Sequence, residues 1–174
     1  NYKAWNLGLA AAIACCAFTF LLGGGPVEMC CAFLGAGVGN FVRKKMLGHS
    51  ISLLANVAVS VAASCLVYVL TILLAQQLLS VSAVHQAGYI CAMLFVIPGF
   101  PLITGGIDLA KLDLRSGLER VSYALLIILT ATMTGWATAA ICQFQPADFE
   151  PLQLQKWTLL CFRLIASFCG VYGF

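Results

Sequence analysis

The residues best placed for chemistry follow one another in a single apolar segment. Pro98, Gly99 and Pro101 interrupt this segment, and Thr104 and Asp108 come next at one-turn spacing. A proline in a helix interior removes an amide donor and clashes with the preceding turn, at a cost of about 3 kcal/mol. Two prolines and a glycine in four residues therefore stop a helix. An interrupted helix offers amide donors to an anion and free carbonyls to a cation, so the pattern predicts ligand binding.

Asp108 has two interpretations. In a regular helix it lies on roughly the same face as Thr104, where it meets a substrate ammonium or carries a proton at the inner end of a pathway. The alternative is a solvated carboxylate that pairs with Lys111 in the next turn, worth only about 0.2–0.5 kcal/mol. The sequence leaves both open.

Two further charges lie in apolar segments. Glu28 follows Pro26 in the first turn of a predicted helix, where a carboxylate suits the helix dipole. Its competing role is an outer gate or a proton acceptor, because acids near a membrane span are costly and often functional. Arg163 lies inside the last apolar segment, where it faces a cavity or a carboxylate such as Glu28, or extends to the interface.

Polar side chains elsewhere have a structural interpretation and a functional one. Asn40 and Asn56 flank the first predicted inner loop. Hydrogen bonding between helices is the default, at about 0.6 kcal/mol each, and lining of a polar pathway is the competing role. His49 and His85 lie in loops without partners at ligand spacing.

The residue pattern argues against catalysis and metal binding. It contains no Ser/His set, paired aspartates or HExxH motif at membrane depth, and Asp108 and Asp113 do not share a helical face. The nine cysteines include two adjacent pairs and no CxxC spacing, so they are interpreted as small packing residues. We expect no enzyme, no cofactor and no metal. Without a basic stripe interleaved with aromatics, nucleic acid is a poor partner.

Composition identifies the environment of these residues. The chain has 174 residues, 62% hydrophobic and 9% charged, with a mean hydropathy of +1.00. A soluble domain carries about a quarter charged residues. Apolar segments long enough to cross about 30 Å of hydrocarbon then predict an all-α polytopic helix bundle in a lipid bilayer.

The segments predict five full spans and a truncated sixth, with the fourth span broken at Pro98–Pro101. The full spans are expected at residues 4–22, 27–42, 51–74, 88–107 and 121–141. Gly23-Gly24-Gly25-Pro26 predicts a tight reversal. Gly35 and Gly39 favour close helix contact. Ser116 and Glu119 form a predicted capping box that opens the fifth span.

Orientation follows from the basic residues in the loops. With the N-terminus inside, the outer segments hold only Lys156, whereas the inner segments hold seven basic residues: Lys3, Arg43, Lys44, Lys45, Lys111, Arg115 and Arg120. The prediction is a multi-pass protein with a cytoplasmic N-terminus. The chain begins without methionine and stops inside an apolar segment, which predicts a piece of something longer.

The stretch IPGFPLITGGIDLAKLDLRSGLERVSYALLIIL resembles the threonine/serine exporter family. The resemblance rests on Pro98-Gly99-Phe100-Pro101, Asp108, Gly117 and Arg120, with LLGGGPVE as a second point of similarity. It implies an inner-membrane carrier that exports threonine, serine or related small metabolites by proton-driven antiport. Pro98, Gly99, Pro101, Thr104 and Asp108 are then candidates for substrate binding. Asp108, Glu28 and Arg120 are candidates for proton coupling or gating.

The resemblance also implies a domain organisation. Residues 1–142 correspond to a five-helix membrane domain, 143–156 to an outer loop and 157–174 to the truncated start of a second membrane half. The missing half is supplied by further residues or by a partner subunit, and a homo-oligomer is possible. Two alternatives stay open: one subunit of a split exporter for a dicarboxylate such as succinate, and a non-transporting assembly subunit.

Overall fold

The computed structural model describes residues 4–48, 51–79 and 86–144, together with the single positions 158, 160, 161, 164 and 165. Within them the chain forms helices and no strand. The α-helices are α1 (Ala4–Leu21), α2 (Pro26–Met46), α3 (Leu53–Leu79), α4 (Gln86–Met93), α5 (Gly99–Ala110) and α6 (Leu114–Ile141). A 3-10 turn, Leu94–Val96, extends α4. Lys3, His49, His85, Lys156 and Arg163, and most of the predicted sixth span, lie outside the described residues.

The turn between α1 and α2 forms as its glycines and proline predict. Gly23 has a φ of 92°, and the amide of Gly24 donates to the Thr19 carbonyl at 2.9 Å. Pro26 is the first residue of α2, a position whose amide makes no hydrogen bond within the helix, so the lack of an amide hydrogen costs nothing there. The chain therefore reverses within four residues, and α1 packs against α2.

Small residues bring α2 close to its neighbours, and α2 contacts α1, α3 and α4. Gly35 and Gly39 are both buried on α2, which confirms the predicted close contact. A Cβ on Gly35 would lie 3.0 Å from the Ser64 carbonyl oxygen of α3. A Cβ on Gly39 would lie 2.7 Å from both the Phe95 ring and the Ser64 Cβ. Both glycines are thus required for this packing.

We expect Gly39→Ala to lower the free energy of unfolding by about 1–3 kcal/mol, because the added methyl overpacks the contact with Phe95 and Ser64. Gly37→Ala is the matched control on the same helix, since its Cβ would lie 3.5 Å from the Ala12 Cβ, an ordinary contact. Thermal unfolding in detergent measures both. Equal melting temperatures for the two variants would contradict this account of the packing.

The start of α6 differs from the prediction. Asp113, not Ser116, is the N-cap, and its carboxylate accepts a bond from the Ser116 amide at 3.4 Å. Aspartate is as good an N-cap as serine, so the helix begins at Leu114, three residues before the start that a Ser116 cap would give. The predicted capping box is therefore wrong. Glu119 pairs with Arg115 instead, at 3.5 Å on an exposed face.

Two of the described helices are long and apolar enough to cross a membrane, at Leu53–Leu78 and Leu114–Ile141. The pair Gly88–Val96 and Gly99–Ala110 makes a third if it is one span bent by 69°. The apolar stretch Gly8–Leu21 of α1 is shorter, and α2 is not among the candidates. The all-helical class and the membrane-capable helices agree with the sequence prediction.

Candidate functional site

The helix break lies between the 3-10 turn and α5. The Ile97 amide donates to the Leu94 carbonyl at 3.0 Å, and the Gly99 amide donates to the Ile97 carbonyl at 2.9 Å. Helix α5 then starts at Gly99 and includes Pro101 in its first turn, where a proline is tolerated. The break therefore consists of Ile97 and Pro98 and is shorter than the predicted Pro98–Pro101.

Two carbonyls at the break are occupied by side chains from other helices. Arg43 of α2 donates through Nη1 to the Phe95 carbonyl at 3.2 Å, and Ser64 of α3 donates to the Ala92 carbonyl at 2.6 Å. These carbonyls are therefore held by the protein and do not face an open ligand site.

Beyond the break, glycines bring α5 and α6 together. A Cβ on Gly105 would lie 3.2 Å from the Gly117 carbonyl oxygen, and one on Gly117 would lie 2.7 Å from the Leu109 Cγ. Both glycines are buried. The close approach joins two segments that are about a dozen residues apart in sequence.

This crossing pairs Asp108 with Arg120. The Arg120 Nη1 lies 3.1 Å from the Asp108 Oδ2, and the Ser116 hydroxyl donates to the same oxygen at 3.1 Å. The Asp108 side chain is 22% exposed and that of Arg120 is 49% exposed. The ion pair thus involves Arg120 of the next helix and not Lys111, the partner considered from the sequence.

A groove of about 490 Å³ opens beside this pair, between α5 and α6. Its lining combines apolar rings with one cation and one carboxylate, from Phe100, Pro101, Thr104, Glu119, Arg120 and Tyr123. The structure thereby gathers Pro101, Thr104 and Arg120 on one surface, with Asp108 attached through its ion pair. A second cavity, of about 260 Å³ between α1 and α2, has only apolar residues and glycines in its lining. It has no group to orient a polar solute.

The other candidates lie apart from this groove. Asn56 is buried, donates to the Arg43 carbonyl at 3.3 Å and accepts from the Ser60 hydroxyl at 3.1 Å, so it bonds between helices. Asn40 is partly buried on α2. Glu28 is 5% exposed in the first turn of α2.

Sequence reasoning missed Arg43, Ser64, Glu119 and Tyr123 as parts of the break and the groove. Arg43 and Glu119 could have been singled out from the sequence, because each is a charged residue close to a predicted turn that contains glycine or polar residues. Local patterns assigned them to membrane orientation and to a capping box. Ser64 and Tyr123 carry no signal that separates them from other polar residues in helices.

The fold and the site define a helical membrane protein with a broken helix beside a charged groove. A family model described as "Putative threonine/serine exporter" matches residues 1–142, which include the whole of α1 to α6. The chain belongs to this threonine/serine exporter family. No curated protein and no solved structure matched the chain.

Proposed function

We propose that this chain is the first membrane half of a secondary transporter that exports threonine, serine or related small amino acids. Family membership supports transport of a small solute across a membrane. The observation that carries the site is Arg120 on the wall of the groove next to the helix break, where it forms an ion pair with Asp108. The groove between α5 and α6 is then the substrate site.

The charges of the groove suit a zwitterion. A guanidinium has five N–H donors, so Arg120 has donors left for a substrate carboxylate beyond those that face Asp108. Glu119, on the same surface, accepts from a substrate ammonium. Each cation here already faces a carboxylate, Arg120 with Asp108 and Arg115 with Glu119, so a dicarboxylate such as succinate finds no uncompensated cation for its second carboxylate. The charge balance thus favours an amino acid over the dicarboxylate.

The substrate site rests on a membrane topology that we also propose. The spans are α1, α2, α3, the bent pair α4–α5 and α6. They cross the cell inner membrane, and the N-terminus lies in the cytoplasm. Non-helical backbone at membrane depth must be buried in protein or line a cavity, and at the break Arg43 and Ser64 meet that need. Residues 157–174 begin a second half, which further residues or a partner subunit complete. Proton antiport drives export, with Asp108, Glu28 and Arg120 as the coupling candidates.

The test is an export assay of the complete protein in proteoliposomes with an imposed proton gradient, using labelled threonine and labelled succinate. We expect gradient-dependent threonine flux and none of succinate. Pro98→Ala/Pro101→Ala should abolish this flux, because the restored amides allow α4 to continue into α5 and remove the 69° bend. Lys111→Gln, an exposed change near the site, is the control and should retain flux.

Three results would contradict the proposal. Absence of gradient-dependent flux of either solute would contradict the transporter assignment and favour an assembly subunit. Flux of succinate alone would favour the dicarboxylate exporter. Full threonine flux in the double proline variant would remove the break from the mechanism.

A further inference from the structure

A buried carboxyl group, Glu28, lies beside Gly88 near the start of α4, whereas the groove lies beyond the helix break, between α5 and α6. Its Oε2 is 2.6 Å from the position that a Cβ on Gly25 would take. Gly25 is the N-cap of α2, so the carboxylate folds back over the N-terminus of that helix. The positive end of the helix dipole stabilises a carboxylate there in its charged form.

A second polar group near Glu28 has no partner. The Tyr68 hydroxyl of α3 is fully buried, and among the described residues it has no hydrogen-bond partner. Its ring is fixed by edge contacts with Tyr89 and Phe144, at centroid distances of 5.8 Å and 6.3 Å. An unsatisfied buried hydroxyl is costly and calls for an explanation.

Gly88 of α4 shows where the two groups converge. A Cβ on Gly88 would collide with the Tyr68 hydroxyl and would lie 3.0 Å from the Glu28 Cβ. The Tyr68 hydroxyl and the Glu28 Cβ thus lie on either side of the space that a side chain at Gly88 would fill. A rotation of the Glu28 side chain away from Gly25 brings its carboxyl group within reach of the hydroxyl.

We propose that Glu28 and Tyr68 form the proton-binding site of this transporter, separate from the substrate groove. Deprotonated, the Glu28 carboxylate stays at the N-terminus of α2. When it takes up a proton from the aqueous side of the α1–α2 turn, it loses the attraction of the helix dipole. The neutral acid then rotates and hydrogen-bonds to the Tyr68 hydroxyl. This assignment rests on the proposed function and selects Glu28 from the three coupling candidates.

The surroundings suit a group that gains and loses a proton. The titratable groups that interact with Glu28 are the Cys31 thiol on α2 and the Tyr68 phenol on α3, and on α4 Tyr89 and Cys91 lie next to Tyr68. In the part of the chain that the structure describes, no lysine or arginine forms an ion pair with Glu28. Asp108, by contrast, already has Arg120 as its cation.

The direct test is infrared difference spectroscopy of the complete protein, titrated with acid in detergent. The wild type should show the band of a protonated carboxyl group that Glu28→Gln removes. Tyr68→Phe deletes the partner of the protonated form and should move the midpoint of this band by about one unit to lower pH. Thr132→Val, which also removes one hydroxyl but from an exposed position on α6 where it bonds only to carbonyls of its own helix, is the control and should leave the midpoint unchanged.

Transport supplies an independent measurement. In proteoliposomes, Glu28→Gln should lose threonine accumulation driven by the proton gradient and retain counterflow of threonine at equal pH. Counterflow retained in this way also shows that the variant is folded. The proton site would be overturned if the Glu28→Gln protein still accumulated threonine against its gradient. It would also be overturned if Tyr68→Phe left the midpoint of the protonated-carboxyl band unchanged. Failure of the wild type to transport would instead overturn the proposed function, and the infrared titration would still decide the role of Glu28.

Discussion

Arg120→Gln is expected to abolish export and to lower the free energy of unfolding by about 1–2 kcal/mol. This value lies between those of exposed and buried ion pairs, because the Asp108 side chain is only 22% exposed. Removal of the guanidinium leaves that carboxylate with Ser116 as its remaining partner. The same change removes the only cation that lines the described groove, so substrate binding fails as well.

The double variant Asp108→Asn/Arg120→Gln separates the two effects. Its side chains are neutral, so stability should return towards that of the wild type while export stays lost. Chemical unfolding in detergent measures the first and threonine flux the second. Lys111→Gln is the control, since it removes one exposed cation near the site and leaves the Asp108–Arg120 pair in place. A double variant less stable than Arg120→Gln, or one that exports threonine, would contradict this account.

The sequence predicted the helices and the first turn because their signals are local. Gly23 to Pro26 specify a reversal by their own backbone preferences, and Gly35 and Gly39 mark a packing face by helical spacing. The predicted start of α6 was wrong because it, too, rested on a local signal. Asp113 and Ser116 are both good caps, and the choice depends on how the linker positions Asp113 after the left-handed Leu112, whose φ is 64°.

The candidate site was predicted only in part because its partners come from different helices. Helical periodicity places Thr104 and Asp108 on one face but offers only Lys111 as a nearby cation. Arg120 reaches Asp108 because Gly105 and Gly117 let two helices cross, and no spacing rule encodes that crossing. Arg43 and Phe95 are 52 residues apart, so their bond is equally invisible in local patterns.

The second large effect concerns the donors that hold the break. Arg43→Met and Ser64→Ala are each expected to lower the free energy of unfolding by about 1–3 kcal/mol, because each leaves a carbonyl near the break without a donor. Phe95 and its neighbour Val96 are buried, so water cannot readily replace the lost bond to the Phe95 carbonyl. Export should fall in both variants, because α5 is no longer held at a fixed angle to α4 and its groove-lining residues lose their position relative to α6.

Arg43→Met tests the side chain alone. Asn56 donates to the backbone carbonyl of Arg43, and that bond survives the substitution. Thr130→Val is the control, because its hydroxyl bonds to the Leu126 carbonyl of its own helix and its loss leaves the backbone bonds of α6 in place. Thermal unfolding and threonine flux are measured on all three variants. If Arg43→Met and Ser64→Ala match Thr130→Val in both measurements, the break is held by proline geometry alone, and Arg43 serves only the orientation of the chain in the membrane.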